Sequence, residues 1–205
     1  MTEQTARRWI EDHFGTTATE QIARFQAMLA DEMTRQNLIA KSTSDQFWAR
    51  HVLDSLQLIR LAGGERTRWV DVGTGAGFPG LVVGMLWGGH MTLIEPRRLR
   101  AAFLQRCIDE LMLGNVQVCH ASAEKVRLSS SADVISARAV GTLEHLLEIT
   151  THFTGKLTRF ILPKGTRAES EIAAVRHAWH GVFHVEQSLV DPESSIIVAE
   201  GVCRR

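Results

Sequence analysis

Four glycines within eight residues constrain the fold of this chain more than any other feature. They lie in residues 70–80, which read Val-Asp-Val-Gly-Thr-Gly-Ala-Gly-Phe-Pro-Gly. An apolar stretch precedes the glycines, and the largely apolar run 81–86 follows them. Pro79 suits a first helical turn, because its φ is already helical. Glycines allow backbone N–H groups to approach a ligand closely. The segment therefore predicts a strand, a glycine loop and a helix, which is the context of a nucleotide-type binding site.

The glycine loop is compatible with two cofactors. Gly75, Gly77 and Gly80 match G-x-G-x-x-G, the pattern of dinucleotide-binding folds. Gly73, Gly75 and Gly77 match G-x-G-x-G, the pattern seen in methyltransferases that use S-adenosylmethionine (AdoMet). Besides an AdoMet-dependent enzyme, two alternatives stay open: an NAD-dependent oxidoreductase, and a non-catalytic module that binds AdoMet or RNA.

Two acidic residues near the loop favour AdoMet. Asp71 lies two residues before Gly73, where a carboxylate repels a pyrophosphate but suits a ligand with a sulfonium and an amino group. Glu95 ends the next apolar stretch, at an offset that places its carboxylate to accept hydrogen bonds from ribose hydroxyls. We therefore expect Asp71, Glu95 and the loop glycines to bind AdoMet.

Strand-like and helix-like runs alternate after residue 68. This alternation predicts an α/β fold with a mostly parallel seven-stranded sheet, and the absence of a convincing last helix predicts an antiparallel hairpin at one edge. The predicted strands are 69–72, 91–95, 116–119, 133–137, 159–162, 182–186 and 195–202, and the predicted helices are 79–87, 97–112, 142–150 and 168–179. Residues 1–62 show only helical apolar spacing, so we expect an N-terminal helical cap on a Rossmann-like domain of residues 63–205.

Composition argues against several other classes of protein. Basic and acidic side chains balance at 23 each, which argues against a strongly basic nucleic-acid binder but leaves room for a local RNA-binding patch. The apolar runs are too short to span a bilayer. Cys107, Cys119 and Cys203 have the spacing of neither a disulfide framework nor a zinc site. We expect no membrane association, no metal site and a cytoplasmic location.

Cationic residues follow the fourth and fifth predicted strands, at the edge where such sheets bind ligands. The segments are Ser136-Ala137-Arg138-Ala139 and Leu162-Pro163-Lys164-Gly165. Neither contains the proline–aromatic motif of exocyclic-amine methyltransferases or the cysteine nucleophile of cytosine C5 chemistry. Guanine N7 has a free lone pair that needs alignment rather than a general base, and a cation can recognise its O6/N7 edge. Arg138 and Lys164 are therefore the candidate catalytic residues, and Arg138 is also a candidate for the carboxylate of AdoMet.

Two further segments belong to the predicted site. Ala123 and Glu124 follow the third strand, in the loop that lies over adenine in this fold, so a backbone N–H of either residue is placed to bind the base edge. In the N-terminal region, helical spacing puts His51, Asp54 and Ser55 on one face. Residues one turn apart on a helix rarely reach the geometry of a hydrolase triad, so we interpret this face as one that docks the cap against the site.

These motifs together resemble the RsmG (GidB) family of bacterial 16S rRNA guanine-N7 methyltransferases. The resemblance rests on residues 37–39, 50–56, 71–80, 136–139 and 162–165. It implies a Rossmann-like class I AdoMet-dependent methyltransferase that modifies N7 of the guanosine at position 527, in the 530 loop of 16S rRNA. It also implies cofactor contacts at Gly73, Phe78, Glu95, Ala123, Glu124 and Arg138. We expect a monomer whose partner is 16S rRNA within the small ribosomal subunit or an assembly intermediate.

Overall fold

A mostly parallel sheet forms the centre of the protein. The computed structural model describes residues 1–63 and 67–205. Within these residues the strands are β1 (Arg68–Val72), β2 (His90–Ile94), β3 (Val116–Cys119), β4 (Ala132–Ala137), β5 (Thr154–Lys164), β6 (Trp179–Gln187) and β7 (Ser195–Arg204). Their order across the sheet is β3-β2-β1-β4-β5-β7-β6, with β7 antiparallel to both neighbours and the other pairs parallel. The predicted Rossmann-like sheet of seven strands is confirmed.

The N-terminal region is helical, as predicted. It contains α1 (Glu3–Phe14), α2 (Thr16–Glu32), α3 (Lys41–Ser44), a π-helix (Phe47–Leu53), α4 (Asp54–Leu56) and α5 (Ile59–Ala62). Thr2 caps α1, because its hydroxyl accepts a hydrogen bond from the Thr5 N–H. The π-helix carries Arg50 and His51. Such wide turns are frequent at functional sites.

Four helices connect the strands of the α/β part. They are α6 (Gly80–Leu86), α7 (Arg98–Glu110), α8 (Leu143–Thr150) and α9 (Ala168–Val175), with 3-10 turns at Ala123–Lys125 and Thr151–Phe153. Helix α9 ends four residues before the predicted position 179, because Trp179 is buried and begins β6. Burial of its ring overrides helix propensity there. No helix in the described part of the chain is long and apolar enough to cross a bilayer.

The predicted antiparallel hairpin is confirmed at one edge of the sheet. It consists of β6 and β7, and β7 inserts between β5 and β6. The register shifts between His180 and Val182, where Gly181 has a φ of 153°. A bulge of this kind interrupts the alternation of side chains between the two faces. This explains why the sequence pattern located β6 only from residue 182.

The N-terminal helices share one apolar core with the sheet. Alternate residues of β1 enter different clusters, Trp69 in one and Val70 in the other, because successive side chains of a strand point to opposite faces. The cluster around Trp69 also contains residues of α1, α2 and the π-helix. The division into residues 1–62 and 63–205 stays a prediction, and Gly64 at this boundary lies outside the described residues.

The strand order places a crevice above β1 and β4. β2 and β3 lie on one side of β1, whereas β4 and β5 lie on the other, so the order reverses between β1 and β4. At such a switch point the loops that leave the two strands diverge and open a crevice, where ligands of this fold class bind. The glycine loop follows β1, and Arg138 follows β4 at the same edge.

Candidate active site

Asp71 lies in β1 beneath the glycine loop and is fully buried. Its Oδ2 accepts a hydrogen bond from the Gly80 N–H (3.0 Å), and its Oδ1 accepts one from the Ser136 hydroxyl (2.5 Å). Burial raises the pKa of Asp71 to about 6, although these hydrogen bonds act in the opposite direction. Asp71 therefore ties β1 to β4 and to the start of α6. It supports the loop from below, and the AdoMet contact at Asp71 stays a prediction.

The four loop glycines fall into two pairs. Gly77 and Gly80 are buried, and a Cβ on Gly80 would lie only 2.5 Å from the Asp71 Cβ. Gly73 and Gly75 are partly exposed and have positive φ values of 68° and 63°. A Cβ on Gly75 would make ordinary van der Waals contacts, at 3.7 Å from Arg100 Nη1 and from the Gly73 carbonyl oxygen. Gly73 and Gly75 thus lie on the partly exposed side of the loop, whereas Gly77 and Gly80 pack against protein atoms, and the AdoMet contacts of Gly73, Gly75 and Gly77 stay predictions.

Glu95 follows β2 and supports the loop from its side. The side chain is almost fully buried, and its Oε2 accepts a hydrogen bond from the Gly75 N–H (2.9 Å) while its Oε1 accepts one from the Arg97 N–H (2.8 Å). Each carboxylate oxygen can accept a second hydrogen bond. Glu95 can therefore receive ribose hydroxyls while it holds the loop. The ribose contact at Glu95 stays a prediction.

Arg100 of α7 is a site residue that the sequence pattern did not single out for the cofactor. Its Nη1 lies 3.7 Å from the position that a Cβ on Gly75 would take, and its Nη2 donates to the carbonyl oxygen of Asn37 (3.3 Å). The sequence showed only a cluster of arginines at the start of a helix. The fold brings this cation over the loop.

The loop after β3 forms the 3-10 turn at Ala123–Lys125. Ala123 is buried and Glu124 is exposed. The first N–H groups of a helical turn have no partner within that turn, so the Ala123 N–H is placed to donate to a ligand. The Glu124 N–H bonds to the carboxylate of its own residue, which together with the Ser122 hydroxyl lowers the pKa of Glu124. The adenine contact at these two residues stays a prediction.

Arg138 reaches from the end of β4 to the N-terminal region. Its Nη1 donates to the Arg50 carbonyl oxygen (3.1 Å) and to Asp54 Oδ2 (3.2 Å), and its Nη2 donates to His51 Nδ1 (3.2 Å). The guanidinium carbon lies 5.4 Å from the centroid of the Phe78 ring, within range of a cation–π interaction. The interpretation of the His51 and Asp54 face as a docking surface is confirmed.

Phe78 is buried beneath Arg138. Its ring centroid lies 4.9 Å from that of His51 and 5.6 Å from that of Phe25 in α2. The resemblance implied that Phe78 contacts the cofactor. In the structure its ring lies under the guanidinium and packs against the N-terminal helices, and the cofactor contact at Phe78 stays a prediction.

Ser55, His51 and Asp54 do not form a hydrolase triad. The Ser55 hydroxyl donates to the backbone carbonyl oxygen of His51 (2.6 Å), away from the imidazole. Asp54 bonds to Arg138 and accepts a hydrogen bond from Gln57 Nε2 (2.8 Å). Burial raises the pKa of Asp54, although Arg138 opposes this effect. Asp54 is thus the counter-ion of the arginine.

Lys164 is mostly buried at the end of β5. Its Nζ donates to the Gly141 carbonyl oxygen (2.7 Å) and to Glu171 Oε2 (2.8 Å). The same Glu171 oxygen accepts a hydrogen bond from the Leu143 N–H at the start of α8 (2.7 Å). Lys164 therefore braces the loop after β4 against α9, and its side chain also lines a cleft between the ends of β4 and β5 and the β6–β7 loop.

A cleft of about 570 Å³ lies beside Arg138 and Lys164. Three ion pairs line it: Arg138–Asp54 (3.2 Å), Lys164–Glu171 (2.8 Å) and Arg50–Asp191 (2.5 Å). Asp191 belongs to the loop between β6 and β7, and no sequence motif pointed to it. A polar cleft of this size, lined by cations and carboxylates, can hold a nucleotide base.

Comparison with known proteins identifies the family. A family model described as rRNA small subunit methyltransferase G (GidB) matches residues 18–194. The chain is 45% identical to the Ribosomal RNA small subunit methyltransferase G of Rhizorhabdus wittichii over 204 residues, which covers 98% of this chain and 94% of that protein. It is 43% identical to the protein of the same name from Sphingopyxis alaskensis, with coverages of 97% and 86%.

A solved structure agrees at the level of the fold. The SAM-dependent methyltransferase from Aquifex aeolicus aligns with a TM-score of 0.59 at 17% identity, covering 73% of this chain and 89% of that one. The predicted methyltransferase fold and the predicted family are both confirmed. This outcome favours a methyltransferase over the NAD-dependent alternative. The chain belongs to the rRNA small subunit methyltransferase G family.

Proposed function

We propose that this protein transfers the methyl group of AdoMet to N7 of a guanosine in 16S rRNA, the base at position 527 of the 530 loop. The products are 7-methylguanosine and S-adenosylhomocysteine. Membership of the family supports an rRNA methyltransferase with AdoMet as its cofactor. The observation that carries the choice of N7 is the polar cleft beside Arg138 and Lys164, whose described lining offers cations that can donate to guanine but no cysteine.

The residues around the loop fit the parts of the cofactor. When bound, AdoMet supplies a methyl group on a positively charged sulfur, which a lone pair on an aromatic nitrogen can accept. Glu95 accepts hydrogen bonds from the ribose hydroxyls, and the Ala123 N–H donates to the adenine edge. Gly73 and Gly75, the partly exposed glycines of the loop, approach the cofactor there. Arg138 lies between loop and cleft, where it binds the cofactor carboxylate or the guanine.

The chemistry available in the cleft suits a nucleophile that needs no deprotonation. His51 is hydrogen-bonded through both ring nitrogens, and no cysteine is among the described residues that line the cleft. Cys107 is buried in α7, and burial raises the pKa of its thiol to about 12. Guanine N7 requires neither a base nor a thiolate, whereas its neighbour O6 accepts hydrogen bonds from cations. Arg138 and Lys164 are the residues of the cleft that we assign to this recognition.

A transfer assay tests the proposed function. 16S rRNA from a strain that lacks this protein is incubated with the purified protein and AdoMet, both as free RNA and within small-subunit particles. Mass spectrometry of the digested RNA is expected to show 7-methylguanosine in the 530 loop. Methylation at another atom or base would contradict the choice of N7, and no methyl transfer to either substrate would contradict the function. Light scattering on the same preparation tests the expected monomer.

Arg138→Ala is expected to lower kcat/KM for methyl transfer by about 10²–10³-fold, because it removes a preorganised donor from the reacting site. Lys164→Ala is expected to have a smaller effect, since part of the role of Lys164 is to brace the loop after β4. Arg8→Ala, at an exposed position of α1, serves as the matched control. If kcat/KM of the Arg138 variant lay within twofold of that of the control, Arg138 would have no role in the reaction.

A further inference from the structure

One short segment of the N-terminal region supplies all three acceptors that hold the Arg138 guanidinium. They are the Arg50 carbonyl oxygen, His51 Nδ1 and Asp54 Oδ2, at 3.1–3.2 Å. Two of them bind Nη1 and one binds Nη2, so both ends of the planar group are held. An ion pair with Asp54 alone would leave the guanidinium free to rotate about that contact. The bond to His51 removes this freedom.

The hydrogen bonds of His51 determine its tautomer. A guanidinium N–H can only donate, so Nδ1 must be the acceptor and the ring proton must reside on Nε2. Nε2 then donates to the Thr43 hydroxyl oxygen (3.0 Å). Burial, together with the positive charges of Arg138 and Arg50, lowers the pKa of His51 to about 4. The neutral ring with an unprotonated Nδ1 therefore predominates at neutral pH.

We infer that His51 is a positioning residue: its Nδ1 fixes the direction in which Arg138 points into the cleft. This inference rests on the proposed function, since the role of Arg138 in the reaction is itself proposed. His51 touches neither loop backbone nor substrate in this scheme. It acts only through the arginine, and the π-helix that carries it is thereby part of the site.

Two substitutions separate positioning from simple packing. His51→Asn keeps an acceptor, because its Oδ1 occupies the place of Nδ1, but it loses ring volume. His51→Leu keeps apolar volume against Phe78 and loses the acceptor. Packing alone predicts that the leucine variant is the more active, whereas positioning predicts the reverse. Thermal unfolding of both variants shows whether each is folded.

Kinetics of methyl transfer to undermethylated 16S rRNA provide the first readout. His51→Leu is expected to lower kcat/KM by at least about tenfold, the effect of losing one hydrogen bond to a charged group, and His51→Asn is expected to retain most of the activity. In an Arg138→Ala background, adding His51→Leu is expected to change nothing further, because the two residues act as one unit. His177→Ala, at an exposed position, is the histidine control. A leucine variant as active as the asparagine variant, or losses that multiply in the double variant, would overturn the inference.

Nitrogen NMR of the histidine rings provides a second readout that does not depend on activity. The His51 signals are expected to show the Nε2–H tautomer from pH 7 to pH 5 in the wild type, with titration shifted upward in Arg138→Ala. A protonated Nδ1 in the wild type, or titration unchanged by removal of Arg138, would refute the contact. Wild-type protein that makes no 7-methylguanosine would instead refute the proposed function, and the NMR result would still decide the role of His51 toward Arg138.

Discussion

At the scale of single residues, the two acids near the glycine loop form hydrogen bonds that hold the loop itself in place. Asp71 is buried with both carboxylate oxygens bonded to protein donors. At this position in β1, just before the first glycine, the side chain lies beneath the loop and reaches the start of α6. Glu95 also has both carboxylate oxygens bonded to protein N–H groups, but it holds the loop from the side, at Gly75, rather than from below. The two acids therefore support different parts of the same loop.

Asp71→Asn is expected to change how stability depends on pH. Asp71 has a folded pKa of about 6, raised from 3.8, so its protonated form stabilises the native state fully below pH 3.8. This contribution is lost as the pH rises through 6. An asparagine does not titrate. Urea unfolding is therefore expected to show the variant gaining about 1.4 kcal/mol relative to the wild type between pH 5 and pH 8.

Asp133→Asn is the control for this pH experiment. Although burial opposes it, the bonds of Asp133 to Arg68 and the Thr67 N–H lower its pKa to about 2. Its stabilising effect is present above its unfolded pKa and is lost only as the pH falls through 2. The difference from the wild type should thus be the same at pH 5 and pH 8. A constant difference for Asp71→Asn as well would contradict the raised pKa.

At the scale of elements, the glycine loop depends on its contact with the loop after β4. A Cβ on Gly73 would lie 2.5 Å from Val140 Cγ2, whereas a Cβ on Gly75 would have no neighbour closer than 3.7 Å. Both residues have positive φ, so strain from the backbone is similar at the two positions. The difference between them isolates the packing of the two loops.

Gly73→Ala is expected to destabilise the fold more than Gly75→Ala. Each variant incurs about 1–2 kcal/mol for a side chain in the left-handed region, and Gly73→Ala adds the collision with Val140. Thermal unfolding measures both. Val140→Ala in the Gly73→Ala background removes the colliding methyl and is expected to restore part of the loss. Equal melting temperatures for the two glycine variants would contradict this expectation. They would show that a methyl group at residue 73 fits between the two loops without loss of stability.

At the scale of the whole molecule, the N-terminal helices and the α/β part form one core. Phe25 of α2 is fully buried and lies 5.6 Å from Phe78 and 6.3 Å from Phe103 of α7, measured between ring centroids. The Arg50–Asp191 pair adds a polar link to the β6–β7 loop. Since the cleft beside Arg138 is lined from both parts, the protein is expected to unfold cooperatively.

Phe25→Ala is expected to cost about 3–5 kcal/mol, because a large ring is lost from a packed core. The variant and the wild type should each unfold in a single transition when followed by calorimetry and by Trp fluorescence. Leu157→Ala, at a residue that is 83% exposed, should change stability by less than about 0.5 kcal/mol. Separate transitions, with only the first sensitive to Phe25, would support two independent domains at residue 62.

Much of the fold could be predicted because its signals are local. The glycine loop is one uninterrupted stretch, and strand or helix periodicity needs only a few neighbouring residues. Strand β5 begins at Thr154 rather than at the predicted residue 159, and the boundaries at α9 and β6 depend on burial of Trp179 and on a bulge at Gly181. Neither is visible in the pattern of nearby residues.

By itself the sequence determined the order of strands and helices, the family and the presence of cations at the strand ends. The tertiary structure decided the direction in which the side chains point: Asp71 inward, Arg138 toward the π-helix, and Arg50 toward Asp191. Arg138 and its partners lie more than 80 residues apart in the chain. Such contacts arise only when strands of one sheet and the helices on its face are packed together, so no local pattern of residues records them.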